Sequence, residues 1–214
     1  MIFDADKARA RWVFCREAKH TIAHLNACVG GLSKPGKMPW YSYSIPAEHC
    51  KVGSVLRKVR GSVCSSCYAT KGRYVFPNVR AAMERRYRIL VEDTSVWAGT
   101  MVALLERKAR GREQYFRWHD SGDLQGQAHL DAIIWIAQQL PHVHFWLPTK
   151  EYQLVEQNKR KLLRPSNLLV RVSAPRVAGT YRTDLTTSTV GAGVGHACPA
   201  HLQGNKCGSC RACW

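Results

Sequence analysis

The chain predicts an α/β fold built on a parallel sheet, either an open sheet or part of a (β/α) barrel. Three observations carry this. Short apolar strands alternate with helical stretches from Gln114 onward. Each strand runs into polar residues: His119-Asp120-Ser121-Gly122-Asp123, Pro148-Thr149-Lys150 and Ser173-Ala174-Pro175. The 214 residues, 45% hydrophobic and 22% charged, have the length and composition of one domain with a sizeable core. Within that domain, residues 1–36 read as a helical extension, 37–178 as the α/β partial barrel, and 179–214 as a loop and cysteine-rich tail.

The first element is a helix over Asp4–Asn26, where Ala8, Trp12, Cys15, Ala18, Ile22 and Leu25 fall near helical spacing without Pro or Gly. Gly30-Gly31, Pro35-Gly36 and Pro39 then break regular structure. Trp40–Ile45 alternates enough for a first strand before Pro46, and Cys50 follows. A helix opens at Pro77-Asn78, with Asn78 as its N-cap, and runs to about Val91; another covers Ser95–Ala109. Gln114–Trp118 is a strand, Ala128–Leu140 a helix stopped by Pro141, and His142–Leu147 a strand. Tyr152–Leu163 is a helix and Leu168–Val172 a strand. Residues 179–195, rich in Gly, Thr and Ser, form a long loop with at most one short strand. In either parallel architecture ligands bind at the carboxyl ends of the strands, so His119, Asp120, Asp123, Thr149, Lys150 and Ser173 should face one cleft.

No apolar run is long enough to span a bilayer, and the first residues lack the apolar stretch of a signal peptide. The expectation is a cytoplasmic protein without a membrane partner. In that reducing compartment nine cysteines are better read as metal ligands or reactive groups than as a disulfide framework. The net charge is +17, and between Lys51 and Arg88 ten Lys or Arg face a single acid, Glu84. Such a field attracts polyanions, which makes residues 51–88 a candidate nucleic-acid face; a solubilising surface is the alternative.

Seven cysteines fall into two groups. The first is Cys50, Cys64 and Cys67; the second is Cys198, Cys207, Cys210 and Cys213. Cys15 and Cys28 belong to neither and read as small buried hydrophobes. A Cys-x2-Cys turn lets two sulfurs converge on one ion or on neighbouring irons. Consecutive spacings at 207, 210 and 213, completed by Cys198, favour a [4Fe-4S] cluster, with a tetrahedral zinc as the alternative. The first group has no obvious fourth thiol. It suits a cluster with one open position, or a zinc completed by His49; one cluster spanning both groups is a third arrangement.

K-M-P-W-Y-S-Y-S-I-P-A, Cys50, C-S-S-C-Y-A-T-K-G-R-Y-V-F-P-N-V, R-W-H-D-S-G-D, F-W-L-P-T-K, C-P-A-H and the final K-C-G-S-C-R-A-C-W together resemble the phage protein family called gene product 88, in order from Lys37 to Trp214. That family is in turn similar to radical S-adenosylmethionine enzymes. The resemblance implies a partial (β/α) barrel, a [4Fe-4S] cluster on Cys50, Cys64 and Cys67, and an auxiliary cluster on Cys198, Cys207, Cys210 and Cys213. It also implies S-adenosylmethionine at the open iron and an external electron donor. Tyr68, Ser121, Gly122, Thr149, Lys150 and Ser173 would then line the cofactor site. His119 would carry a proton, while Asp120 or Asp123 would hold an amino group or ribose hydroxyls. The plainer reading has Asp123 capping the next helix and His119 packed. Two features depart from the radical-enzyme pattern: thirteen residues separate the first two cysteines, and a Gly-Gly-Glu motif is absent. They keep open a non-catalytic, metal-stapled nucleic-acid-binding protein and an electron-transfer or redox-sensing role beside an enzyme acting on a nucleic acid or small metabolite.

Overall fold

The computed structural model describes residues 2–191, 193 and 195–214. Its helices are α1 (Ala5–Glu17), α2 (Ile22–Cys28), α3 (Lys51–Arg57), α4 (Pro77–Glu92), α5 (Thr94–Ala109), α6 (Gln127–Gln139), α7 (Tyr152–Gln157) and α8 (Lys159–Leu162). Its strands are β1 (Ser42–Tyr43), β2 (Gln114–Trp118), β3 (Val143–Thr149), β4 (Leu168–Ser173) and β5 (Thr186–Ser188). The sheet runs β1-β2-β3-β4-β5 and every neighbouring pair is parallel. β1 and β5 are its two edges, so the sheet is not closed into a barrel.

Alternation along the strands decides the layering. Phe116, Trp118, Phe145, Leu147, Val170 and Val172 are buried, whereas Tyr115, Arg117, His144, Trp146, Leu169 and Arg171 between them are half-buried. The buried face packs under α5 and α6, with Trp97 of α5 5.9 Å from the Trp118 ring. α1 lies across α5 so closely that a methyl on Gly99 would meet the Ala8 carbonyl, the Arg11 Cβ at 2.9 Å and the Trp12 nitrogen at 3.0 Å. The half-buried face is covered at one end by the C-terminal tail. Trp214 donates its indole N–H to the Phe116 carbonyl at 2.9 Å, and its ring sits 5.4 Å from Trp146 and 5.9 Å from Tyr115.

Several predicted elements need correction. The single helix over Asp4–Asn26 is two, because Lys19 takes a left-handed φ of 50° and Thr21 caps α2 by accepting from the His24 N–H at 3.1 Å. The strand at 40–45 keeps only Ser42–Tyr43 between Pro39 and Pro46. Asn78 does not cap α4: Phe76 occupies that position without a side-chain bond, and Pro77 starts the helix with its preset φ. The helix over Tyr152–Leu163 breaks at Asn158, whose side chain donates to the Leu154 carbonyl and exchanges bonds with Gln127. α3, in the gap between Cys50 and Cys64, was not predicted. No helix among the described residues is long and apolar enough to cross a membrane.

Candidate metal and ligand site

The loops after β2 and β3 are tied together by one buried carboxylate. Asp123 accepts from the Leu124 N–H (2.8 Å) and the Thr149 hydroxyl (2.7 Å) on one oxygen, and from the Lys150 N–H (2.8 Å) on the other. It therefore does not cap α6, whose N-cap is Gly126. Burial pushes the Asp123 carboxyl up, and the three hydrogen bonds pull against it. With both oxygens engaged, Asp123 joins two strand ends rather than presenting a free carboxylate. Glu151, which the sequence did not single out, extends the tie: its carboxylate accepts from the Val52 N–H (3.1 Å) in the first turn of α3, directly after Cys50.

The other predicted residues divide between those left open and those already spent. Asp120 is 7% exposed; one carboxylate oxygen accepts from Tyr74 at 3.1 Å, and the other is buried without a partner. The Ser121 hydroxyl is likewise buried and unpartnered. Buried polar atoms without a protein partner remain available to a water, an ion or a ligand group. Gly122, at φ 86°, gives space: a Cβ there would lie 2.8 Å from the Ile45 carbonyl, so the loop after β2 could not approach the chain leading to Cys50. Tyr68 donates its hydroxyl to the Asp120 carbonyl and accepts from Arg117 at 3.2 Å. The Ser173 carbonyl accepts from Tyr152 at 2.9 Å.

His119 does not open on the cleft. It adopts φ 53°, is 3% exposed, and packs its ring 5.2 Å from that of His129 in α6. Both its ring nitrogens lack partners. Burial, with the neighbouring His129 and Arg117, drives its basicity well below the usual histidine range, so the ring is neutral at physiological pH. His129 itself is pushed down to about 3 by burial.

The first cysteine group sits over this edge. Cys50 is the N-cap of α3, and the loop carrying Cys64 is pinned to the end of β4 where the Val63 N–H donates to the Pro175 carbonyl at 2.9 Å. A Cβ built on Gly53 would lie 3.6 Å from the Cys50 sulfur and 3.8 Å from the Cys64 sulfur, so both thiols face one glycine-lined cradle. Burial raises the Cys50 and Cys64 thiols; Cys67 and Asp123 raise them further, and Arg57 opposes the shift on both. His49 is committed elsewhere: its ring stacks on Tyr87 at 3.6 Å and its Nε2 pairs with Glu84 at 3.1 Å. The Cys3His set proposed from sequence is thus not assembled.

The second group lies along the half-buried face. Burial raises the Cys207 and Cys213 thiols; Cys198 and Cys210 raise both further and Cys207 also raises Cys213, while Arg117 and Arg211 oppose the shift at Cys207 and Arg171 opposes it at Cys213. The His196 Nε2 lies 3.5 Å from the Cys210 sulfur, a neighbour the sequence reading passed over. Among the described residues, no three Cys, His, Asp or Glu side chains are drawn tightly enough to hold a single ion. Cys15 is buried in the core and Cys28 half-buried.

Residues 12–214 match the family described as Gene product 88, across the fold and both cysteine groups. The chain belongs to that family. It is a family of phage proteins, and the shared segment leaves out only residues 1–11, which end within α1. No curated protein and no solved structure matches the chain.

The basic stretch 51–88 is less free than its composition suggests. Lys51, Arg57, Arg85 and Arg86 donate to backbone carbonyls of the chain itself, and Arg86 is buried. Lys58, Arg60, Lys71, Arg73, Arg80 and Arg88 remain exposed.

Proposed function

We propose that this protein is an iron-sulfur protein of radical S-adenosylmethionine type. Cys50, Cys64 and Cys67 would hold a [4Fe-4S] cluster over the carboxyl edge of a partial (β/α) barrel, and Cys198, Cys207, Cys210 and Cys213 a second thiolate-bound centre. The observation that carries the reading is the cradle at Gly53, where the Cys50 and Cys64 sulfurs face one volume above the Asp123–Lys150 edge. In a cluster each thiolate would bind a different iron, whereas a zinc would draw all its thiolates onto one ion. A cluster held by Cys50, Cys64 and Cys67 would supply a binding position for S-adenosylmethionine and one electron to it.

The chain's own residues supply the rest. Asp123 and Glu151 fix the Cys50 loop to the ends of β2 and β3. The unpartnered Asp120 oxygen and Ser121 hydroxyl offer an acceptor and a donor to ligand amino or hydroxyl groups, and Tyr74 holds Asp120 in place. The neutral, enclosed His119 supports the loop from below. Anaerobically purified, dithionite-reduced protein should cleave S-adenosylmethionine to 5′-deoxyadenosine and methionine, and Cys64→Ala should abolish this. Iron-loaded protein that leaves the cofactor intact would defeat the proposal.

A second reading, a zinc-stapled nucleic-acid-binding protein, is favoured by Val75 and Phe76, 46% and 53% exposed among Lys71, Arg73 and Arg80. It requires nucleic-acid affinity that falls steeply with salt and survives without S-adenosylmethionine.

A further inference from the structure

Two guanidinium groups on the half-buried face of the sheet lack the partners that arginines in such positions normally have. Arg117 of β2 donates to the Tyr68 hydroxyl at 3.2 Å and weakly to the Met38 sulfur at 3.8 Å, with its Cζ 4.3 Å from the centroid of the Trp146 ring. Arg171 of β4 donates to the carbonyls of Thr187 and Ala212. In each the Nε–H is buried and has no acceptor, and neither joins an ion pair among the described residues. Arg86 provides the contrast, since its Nε donates to the Gly31 carbonyl at 2.6 Å and its Nη1 to Ser44. Neither has a carboxylate partner; the ionisable groups beside them are the Cys207 thiol near Arg117 and the Cys213 thiol near Arg171, and a guanidinium carries five donors in a fork suited to a phosphate or carboxylate.

The register brings the two together. Arg117 is level with Trp146, and Arg171 is level with Pro148, two residues further along β3. Two strand spacings and a two-residue offset put the backbones roughly 12 Å apart, a gap that two arginine side chains can close around one ligand. Tyr68 borders the face on the side of the first cysteine group; Trp214 and the tail border it on the other. The one acid at the amino end, Glu113, is already paired with His144 at 2.6 Å.

We propose that this face binds a nucleoside phosphate, its phosphate between Arg117 and Arg171 and its flat ring among Tyr68, Trp146 and Trp214. Phosphate is chosen over carboxylate because its oxygens can engage two guanidinium forks together. The inference rests on the function proposed above only in taking the bound molecule as the substrate.

The test uses calorimetry on the full chain with adenosine monophosphate, inorganic phosphate and adenosine as probes, with metal content measured on the same samples. Adenosine monophosphate should bind more tightly than phosphate, and adenosine least. Arg117→Gln and Arg171→Gln should each weaken adenosine monophosphate at least about tenfold, whereas Arg164→Gln, at an exposed position, should not. Arg117→Lys should recover only part of the loss. Equal affinity in all variants, or no binding by metal-loaded wild type, overturns the inference while leaving the metal centres standing. Binding with the expected losses in protein without metal supports the inference and counts against the iron-sulfur reading. Should the variants fail to fold, arginine labelling of wild type with phenylglyoxal decides: protection of Arg117 and Arg171 by adenosine monophosphate supports the site, and unprotected labelling refutes it.

Discussion

Gly53→Ala separates helix stability from the thiol cradle. In an ordinary helix interior, replacing Gly by Ala stabilises by about 1 kcal/mol. Gly53 lies inside α3, is buried, and takes no left-handed conformation, so the backbone itself would accept alanine. The space would not. The added methyl stands 2.9 Å from the Cys50 Cβ, closer than carbon atoms tolerate, and 3.6 and 3.8 Å from the Cys50 and Cys64 sulfurs. Relieving such overpacking costs about 1–3 kcal/mol, and here the group that must yield is a proposed ligand. If the cost falls on the metal-bound form, affinity at the first group drops about 5- to 150-fold, at about 1.4 kcal/mol per tenfold. The assay is metal and sulfide per chain after anaerobic loading, with denaturant melts of metal-free protein in parallel. The second cysteine group should keep its metal and the metal-free melt should move little. A variant that retains full metal at the first group and gains stability would show that the cradle does not hold a metal centre.

Further outcomes are expected elsewhere. Gly99→Ala should destabilise by about 1–3 kcal/mol in chemical denaturation, because a methyl there meets the α1 backbone; unchanged or improved stability would contradict the α1–α5 packing. His129 has a folded-state value near 3 against an ordinary 6.5, so between those values the unfolded chain binds a proton that the folded chain does not. Its contribution is complete above pH 6.5 and is lost as pH falls toward 3, by up to about 1.4 kcal/mol per unit. Melts at pH 7.5 and 5 should therefore differ less for His129→Phe than for wild type. Trp214→Ala removes the bond to the Phe116 carbonyl and the contacts with Tyr115 and Trp146. Discounted for partial exposure, this costs about 1–3 kcal/mol, and limited proteolysis should then cut the tail first.

What the sequence made legible follows from how local each signal is. β2 appears at Gln114–Trp118 as predicted, because its alternation and its polar exit are both local. The parallel order and the gathering of Asp123, Thr149 and Lys150 at one edge follow from the strand and helix alternation. The role of Asp123 was not legible: an acid just before a helix reads as a cap, and only the neighbouring strand shows that its partners are Thr149 and Lys150. Of the two readings of His119, the packed one agrees with its burial, and the sequence could not choose between them because a left-handed φ on a histidine leaves no trace in composition. That part of the charge run 51–88 is tied into the fold was not legible, because carbonyl partners for Arg85 and Arg86 come from residues more than forty positions away. Arg117 and Arg171 were missed, although alternate placement of basic residues on apolar strands signals a face that is not wholly buried.

The proposal at the centre of this account is that the two cysteine groups would hold two separate thiolate-bound metal centres. Its most direct test is iron, sulfide and zinc per chain in anaerobically purified wild type, Cys50→Ala and Cys207→Ala. Wild type should carry iron and sulfide at two sites, and each variant should lose one site while keeping the spectrum of the other. Metal-free wild type from iron- and zinc-replete anaerobic expression, or variants that retain the full wild-type complement, would contradict the account.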